Sequence, residues 1–241
     1  MDPLTISAAG GMQARLESLD MLANNLANTE TGGYKTDREF YNIYVSAESA
    51  SEEPAPALPV IERPWTDFSA GALRTTGAPL DLALTGNGFF AVDGPGGSLY
   101  TRNGGFRVSP SGMLVTGEGY AVRTVSGGHL QVAPAGAVEV AEDGAVRQNG
   151  QALGRLDIAA FADNGVLAKQ GSSYFQSAAA PQAASNVRVE QGKLEGSNVG
   201  AAESAVRLVA VMRQFEMLQK AAQLGSQMNR ESVEEVAKVA S

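Results

Sequence analysis

The chain has 241 residues, a net charge of −8 and an apolar fraction of 44%, which is ample for a packed core. No Lys/Arg run occurs, so the electrostatic footprint of a nucleic-acid binder is missing. Cysteine is absent, which excludes disulfides, thiolate nucleophiles and cysteine metal sites and is compatible with an oxidising compartment.

The opening stretch, MDPLTISAAGGMQARLESLDML, carries Asp2, no basic n-region and no unbroken apolar core, and no window approaches eighteen apolar residues. Neither a cleavable secretory signal nor a membrane span is expected. From Leu4 to Leu26 apolar residues recur at helical spacing, with Ala9, Met12, Leu16, Leu19, Ala23 and Leu26 stepping by three and four in a short heptad seam interrupted only by Gly10 and Gly11. Asn24 and Asn28 fall on the face opposite Leu19, Leu22 and Leu26 and form, with Asn25, a polar cluster at the helix end. Gly32 and Gly33 then let the backbone leave the helix, through a left-handed residue if one is needed. The amides of Asn24, Asn25 and Asn28 can bond a neighbouring helix or the first loop, or lie at a frayed, solvated end.

Ser46 to Pro64 is rich in Ala, Ser, Glu and Pro, and no regular structure is assigned to it. The middle then reads as short strands separated by glycine-containing turns at intervals of roughly eight to twelve residues, which predicts an antiparallel sandwich or barrel. Hairpin turns are expected at Asp143-Gly144, Asn149-Gly150 and Asn164-Gly165. Val187 to Glu190 offers a last alternating segment, and Ser197 or Asn198 caps a second helix. Along that helix Leu208, Val211, Phe215, Leu218 and Ala222 form a seam, while Val206, Val209 and Met212 widen the apolar surface. Either the two terminal helices pack only on each other, or the second also meets a further neighbour.

Catalytic chemistry finds little support. GPGGSL lacks a Lys-Ser/Thr ending, TGNGFF sits between strands, and no G-x-S-x-G occurs. The single histidine, His129, is expected to be an ordinary solvated residue. Glu52-Glu53 and Glu234-Glu235 are expected on solvated surfaces. Trp65 is expected to be a packing anchor. No catalytic, cofactor-binding or metal-ligating residue is predicted, and the chain is not expected to be an enzyme.

Three segments resemble a known family. MLANNLANTETGGYK is similar to the N-terminal signature of the flagellar axial proteins, the rod, hook and hook-associated components, with Gly32 and Tyr34 in place of the usual Thr and Phe. The segment from Gly71 to Val122, with Pro79-Leu80-Asp81, Gly88-Phe89-Phe90 and Tyr100-Thr101-Arg102, looks like their β region. LEGSNVGAAESAVRLVAVMRQFEM resembles their C-terminal signature, with Gly200 departing from the usual Asn. A hook protein carries a larger middle, so length favours a rod protein, and RQFEM at Arg213 to Met217 is more similar to the proximal than to the distal member.

The resemblance implies an α+β chain whose terminal helices pair as a coiled coil inside a tubular rod, with a β domain outside. It implies a discontinuous helical assembly domain, 1–35 with 196–241, a connector over 36–75 and an outer domain over 76–195. The assembly surface is expected to use Met12, Leu16, Leu19, Asn24, Asn25, Leu26, Asn28, Leu208, Val209, Val211, Met212, Phe215 and Leu218. Partners are expected to be other rod subunits and the flagellum-specific type III export apparatus, without nucleic acid, cofactor or metal. The expected location is the basal-body rod spanning the periplasm, reached without a cleaved signal peptide. The alternative from another class is an exported β-sandwich that binds or acts on carbohydrate, which requires a cleft lined by aromatic rings or carboxylates.

Overall fold

The computed structural model describes residues 3–39, 41–44, 58–61, 64–133 and 136–239. The chain divides into two compact units, one drawn from 1–27, 37–66 and 200–241, the other from 28–36 and 67–199. Two terminal helices and a mainly antiparallel β middle make it an α+β protein.

In the first unit α1 (Pro3–Ala27) and α2 (Ala201–Val239) pack against each other. The residues of α1 that are buried are Ala8, Gly11, Ala14, Ser18, Leu22 and Asn25, again spaced by three and four. This corrects the predicted seam: Ala9 and Ala23 are exposed, Leu16 is 49% exposed, and Met12, Leu19 and Leu26 are half-buried. The reason is steric. A Cβ on Gly11 would lie 3.2 Å from Leu218 Cδ1 of α2, so a bulky helix meets the face of α1 that carries small residues, and the larger side chains turn elsewhere. In α2 the seam is as predicted, with Val211 buried and Leu208, Phe215, Leu218 and Ala222 half-buried.

Short strand pairs complete this unit. Asp37–Arg38 pairs with Trp65–Thr66, and Tyr41–Tyr44 with Leu58–Ile61, both antiparallel. The second pair corrects the expectation that Ser46 to Pro64 holds no regular structure. The extended β propensity of Leu58, Val60 and Ile61 outweighs Pro59; the rest of 46–57, including Glu52-Glu53, lies outside the described residues. Trp65 is half-exposed, with the Arg38 guanidinium 5.9 Å from its ring centre, so it stacks on an arginine rather than anchoring a core.

The second unit is built on a nine-stranded antiparallel sheet running Leu167–Gln170, Tyr174–Ser177, Gly97–Thr101, Phe89–Gly94, Ala121–Val122, Leu114–Val115, Arg107–Val108, with Ile158–Ala160 and Gln182–Ala183 joined beside Phe89 and Phe90. Successive side chains of Phe89–Gly94 point to opposite faces, and both faces are covered. Phe90 and Val92 join Leu82, Val122, Leu130 and Leu156 in one core, while Phe89 and Ala91 join Tyr100 and Phe175 in another. Phe68, Phe89 and Phe175 pack edge to face at centroid distances of 5.1–5.8 Å.

The turns follow the glycine pattern where a left-handed residue is needed. Asn149 (φ 51°) and Gly150 (φ 79°) close the hairpin between Ala145–Gln148 and Gln151–Arg155, the geometry of a two-residue primed turn. Asn164-Gly165 is not a hairpin. Asp163 accepts a hydrogen bond from Gly165 N at 2.8 Å and caps a single 3-10 turn, Asn164–Val166, so the flanking strands pair with other partners.

Gly33 carries the sharpest local constraint. Its φ is +67°, and a Cβ there would lie 2.3 Å from Asn103 N. Gly77 has φ +72° but open space around it. Gly77→Ala should therefore cost about 1 kcal/mol of backbone strain, and Gly33→Ala at least about 2–4 kcal/mol through the added clash. Urea unfolding midpoints of the two variants provide the measurement; equal losses would show that the close approach to Asn103 is unimportant.

Candidate assembly interface

Nothing in the second unit assembles a catalytic set. Among the described residues no cluster of His, Asp and Glu could hold a metal ion. His129 is not the solvated residue expected: its Nε2 lies 2.7 Å from Asp93 Oδ2, and Arg123 Nε stands 3.8 Å from the same carboxylate and 3.7 Å from that of Asp157. Burial raises the Asp157 carboxyl above its ordinary range, against the pull of Arg123. A cavity of about 450 Å³ is lined by Ser111, Gln131, Gln148, Asn149, Gln151 and Leu153 among others, with neither ring nor carboxylate among its described lining residues.

The most constrained chemistry of this unit is a buried ion cluster. Lys35 Nζ donates to Glu195 Oε1 at 2.5 Å and to the Ser69 carbonyl at 2.7 Å, with both charged side chains fully buried. Glu195 Oε1 also accepts from Gly71 N at 3.0 Å. Arg102 Nε lies 3.4 Å from Glu195 Oε2, close enough for an ion pair but without hydrogen-bond geometry. The guanidinium instead donates to the Gly86 carbonyl at 2.8 Å and sits 5.6 Å from the Phe89 ring centre. One carboxylate thus compensates two cations, and burial pushes both Lys35 and Arg102 below their ordinary values, against the opposing attraction of Glu195.

Neighbouring contacts hold the same three segments. Gly33 N donates to the Glu195 carbonyl at 2.8 Å, and Lys169 Nζ donates to the Lys35 carbonyl at 2.8 Å while sitting 4.2 Å from the Tyr34 ring centre. Asn198 does not cap α2, which begins at Ala201 with Ser204 N bonding Gly200 O. Its Oδ1 accepts from Thr36 N at 2.7 Å and its Nδ2 donates to the Asp67 carbonyl at 2.8 Å. Ser197 Oγ is likewise taken up locally, by Val199 N at 3.2 Å. Within this unit the segment that follows α1 and the one that precedes α2 are therefore held side by side.

The helical unit supplies the other candidate surface. Asn25 is buried and its amide bridges one residue of its own chain, donating to Asp37 O at 2.8 Å and accepting from Asp37 N at 3.1 Å; it serves the first loop. Asn28 Oδ1 accepts from Thr31 Oγ1 at 3.0 Å, and Asn24 is exposed. Val209 and Met212 are exposed. Sequence reasoning missed a longer stripe: Val206 (71% exposed), Met217, Leu224 and Met228 (67% exposed) recur by three, two and one helical turns on the side opposite Val211, Phe215 and Leu218. The signal was present in spacings of eleven, seven and four. Arg207 is spent on Glu39, whose carboxylate is almost wholly buried. Among the described residues no helix is long and apolar enough to cross a membrane.

The three segments that meet at the ion cluster also carry three family matches. Residues 7–35 match the flagella basal body rod protein model, 83–150 the flagellar hook protein FlgE/F/G D1 domain, and 190–234 the flagellar basal body rod FlgEFG protein C-terminal. A flagellar basal-body rod protein FlgF of Caulobacter vibrioides is 33% identical over 230 residues, 92% of each chain. The chain belongs to the flagellar basal-body rod protein family. FlgF of Escherichia coli is 30% identical over 91% of this chain and 92% of its own, and FlgG of Buchnera aphidicola is 29% identical over 95% and 97%. Lys35, Arg102 and Glu195 fall one in each matched segment, so this rod-family chain closes its three signatures on one another.

Glu195→Ala would leave two buried cations without their carboxylate and should cost about 3–5 kcal/mol in thermal or urea unfolding. Lys35→Met should cost less, because it leaves Glu195 with Arg102 and Gly71. Since Lys35 is held below 10.5 when folded, the unfolded chain binds more protons in the window just below that value, so stability from this group rises as pH climbs toward it. That slope should vanish in Lys35→Met; a stability curve unchanged on the alkaline side would contradict the assignment.

Proposed function

We propose that the chain is a structural subunit of the bacterial flagellar rod, without catalytic activity, which assembles helically through its terminal helices and passes torque from motor to hook. The observation that carries this reading is the two-sided apolar character of α2. One side packs within the chain, and the other, from Val206 to Met228, is left to water in a single copy. A helix with two apolar stripes needs two neighbours. In this reading the helices pair as a coiled coil in the assembled rod, residues 1–35 and 196–241 form the assembly domain, and 76–195 forms an outer β-sandwich. The chain reaches the periplasm-spanning rod through the flagellum-specific type III apparatus without a cleaved signal peptide. The proximal position is favoured over the distal one by similarity to the proteins named FlgF.

Removing residues 1–30 should leave the β unit folded yet abolish swimming. Met217→Asp combined with Leu224→Asp places charge on the outward stripe and spares the inner seam, so helix content by circular dichroism should stay at the wild-type level while the protein disappears from purified basal bodies. Phe215→Asp, in the inner seam, should instead loosen the pairing of α1 with α2. Wild-type amounts of the outward-stripe variant in basal bodies, with normal motility, would sink this reading.

A further inference from the structure

We propose that the outward face of α1 in one copy docks on the outward stripe of α2 in a second copy, and that charges flanking the two faces fix this pairing; the inference rests on the rod-subunit reading above. The outward face of α1 carries Leu16 with Met12 and Leu19 beside it, and its exposed charge is Asp20, one helical turn from Leu16. Glu17 adds a second exposed acid. Arg15, on the other flank, is half-buried and already engaged within the chain. The stripe on α2 has the opposite sign. Arg213 stands one turn before Met217 and Lys220 one turn before Leu224, both exposed, and Glu203 and Glu216 lie to its sides. Among the described residues Asp20, Arg213 and Lys220 enter no ion pair.

Charge decides among the possible contacts between copies. An α1 face against another α1 face sets acid against acid, and two α2 stripes set base against base. Only α1 on α2 joins opposite charges over matched apolar stripes. Each copy carries one face of each kind, so the contact is heterologous and leaves an unsatisfied face at both ends of any chain of copies. Growth is then open-ended, whereas a two-fold dimer is disfavoured. The small-residue inner face of α1 is what makes this available, because it seats α2 of the same chain without using the larger apolar side chains.

The test uses the purified full chain at low salt, with self-association followed by sedimentation equilibrium. D20K alone, and R213E with K220E, should each weaken self-association about tenfold or more. An equimolar mixture of the two should recover it, since every junction in an alternating polymer again joins opposite charges. The triple variant should self-associate but exclude the wild type. A wild-type chain that stays monomeric, a reversal without effect, or a mixture that stays dissociated would each overturn the proposal. Recovery of the chain in basal bodies is scored separately. Presence there with no rescue in the mixture removes this contact and leaves the rod reading standing, while rescue without presence does the reverse.

Discussion

One carboxylate against two cations, all out of water, is the constraint on which the β unit closes. Desolvating a lysine and an arginine costs several kcal/mol each unless partners surround them, and here the partners come from parts of the chain that no local structure could bring together. Glu195 supplies the countercharge, while carbonyls at Ser69 and Gly86 and the Phe89 ring take up the remaining donors and the cationic face. The strict geometry this demands explains neighbouring features that otherwise look arbitrary. Gly33 must be glycine to pass Asn103, and Asn198 must serve Thr36 and Asp67 instead of capping a helix.

The helical unit follows a different logic. Its inner contact combines small residues on α1 with larger ones on α2, which saves the bulk of α1 for other surroundings. Asn25 behaves as a surrogate peptide group, offering both donor and acceptor to Asp37 where a strand would otherwise end unpaired. The asparagine cluster at the end of α1 is thus three residues with three environments: one exposed, one locking a loop, one closing a turn.

Periodicity made the element types legible, because a period of two or of three to four reflects burial on one side whatever the neighbour is. It named the α2 seam and the antiparallel turns correctly, including Asn149-Gly150. It failed where the identity of the neighbour mattered. Ala9, Leu16 and Ala23 mark an apolar face of α1, but only the bulk of Leu218 opposite Gly11 decides which face α2 takes. The ion cluster was illegible for a related reason: a lysine, an arginine and a glutamate in separate segments read as solvated charges until the fold buries them. The one hint was that Tyr34-Lys35 and Tyr100-Thr101-Arg102 place cations directly after aromatic residues. At Asn164-Gly165 a local acid, Asp163, redirected a turn whose dipeptide alone suggests a hairpin.

The partners Lys35 and Glu195 are separated by 160 positions, and that distance acts as a clock. However the chain is released, by whichever end, the first of the two charges to emerge finds no counterion until nearly all of the intervening chain is free. Burying it alone is unfavourable, so the incomplete unit is held open by the same electrostatics that close the complete one, and long-range closure of this kind is slow. The cluster therefore sets the order of events, making the β unit finish late and all at once.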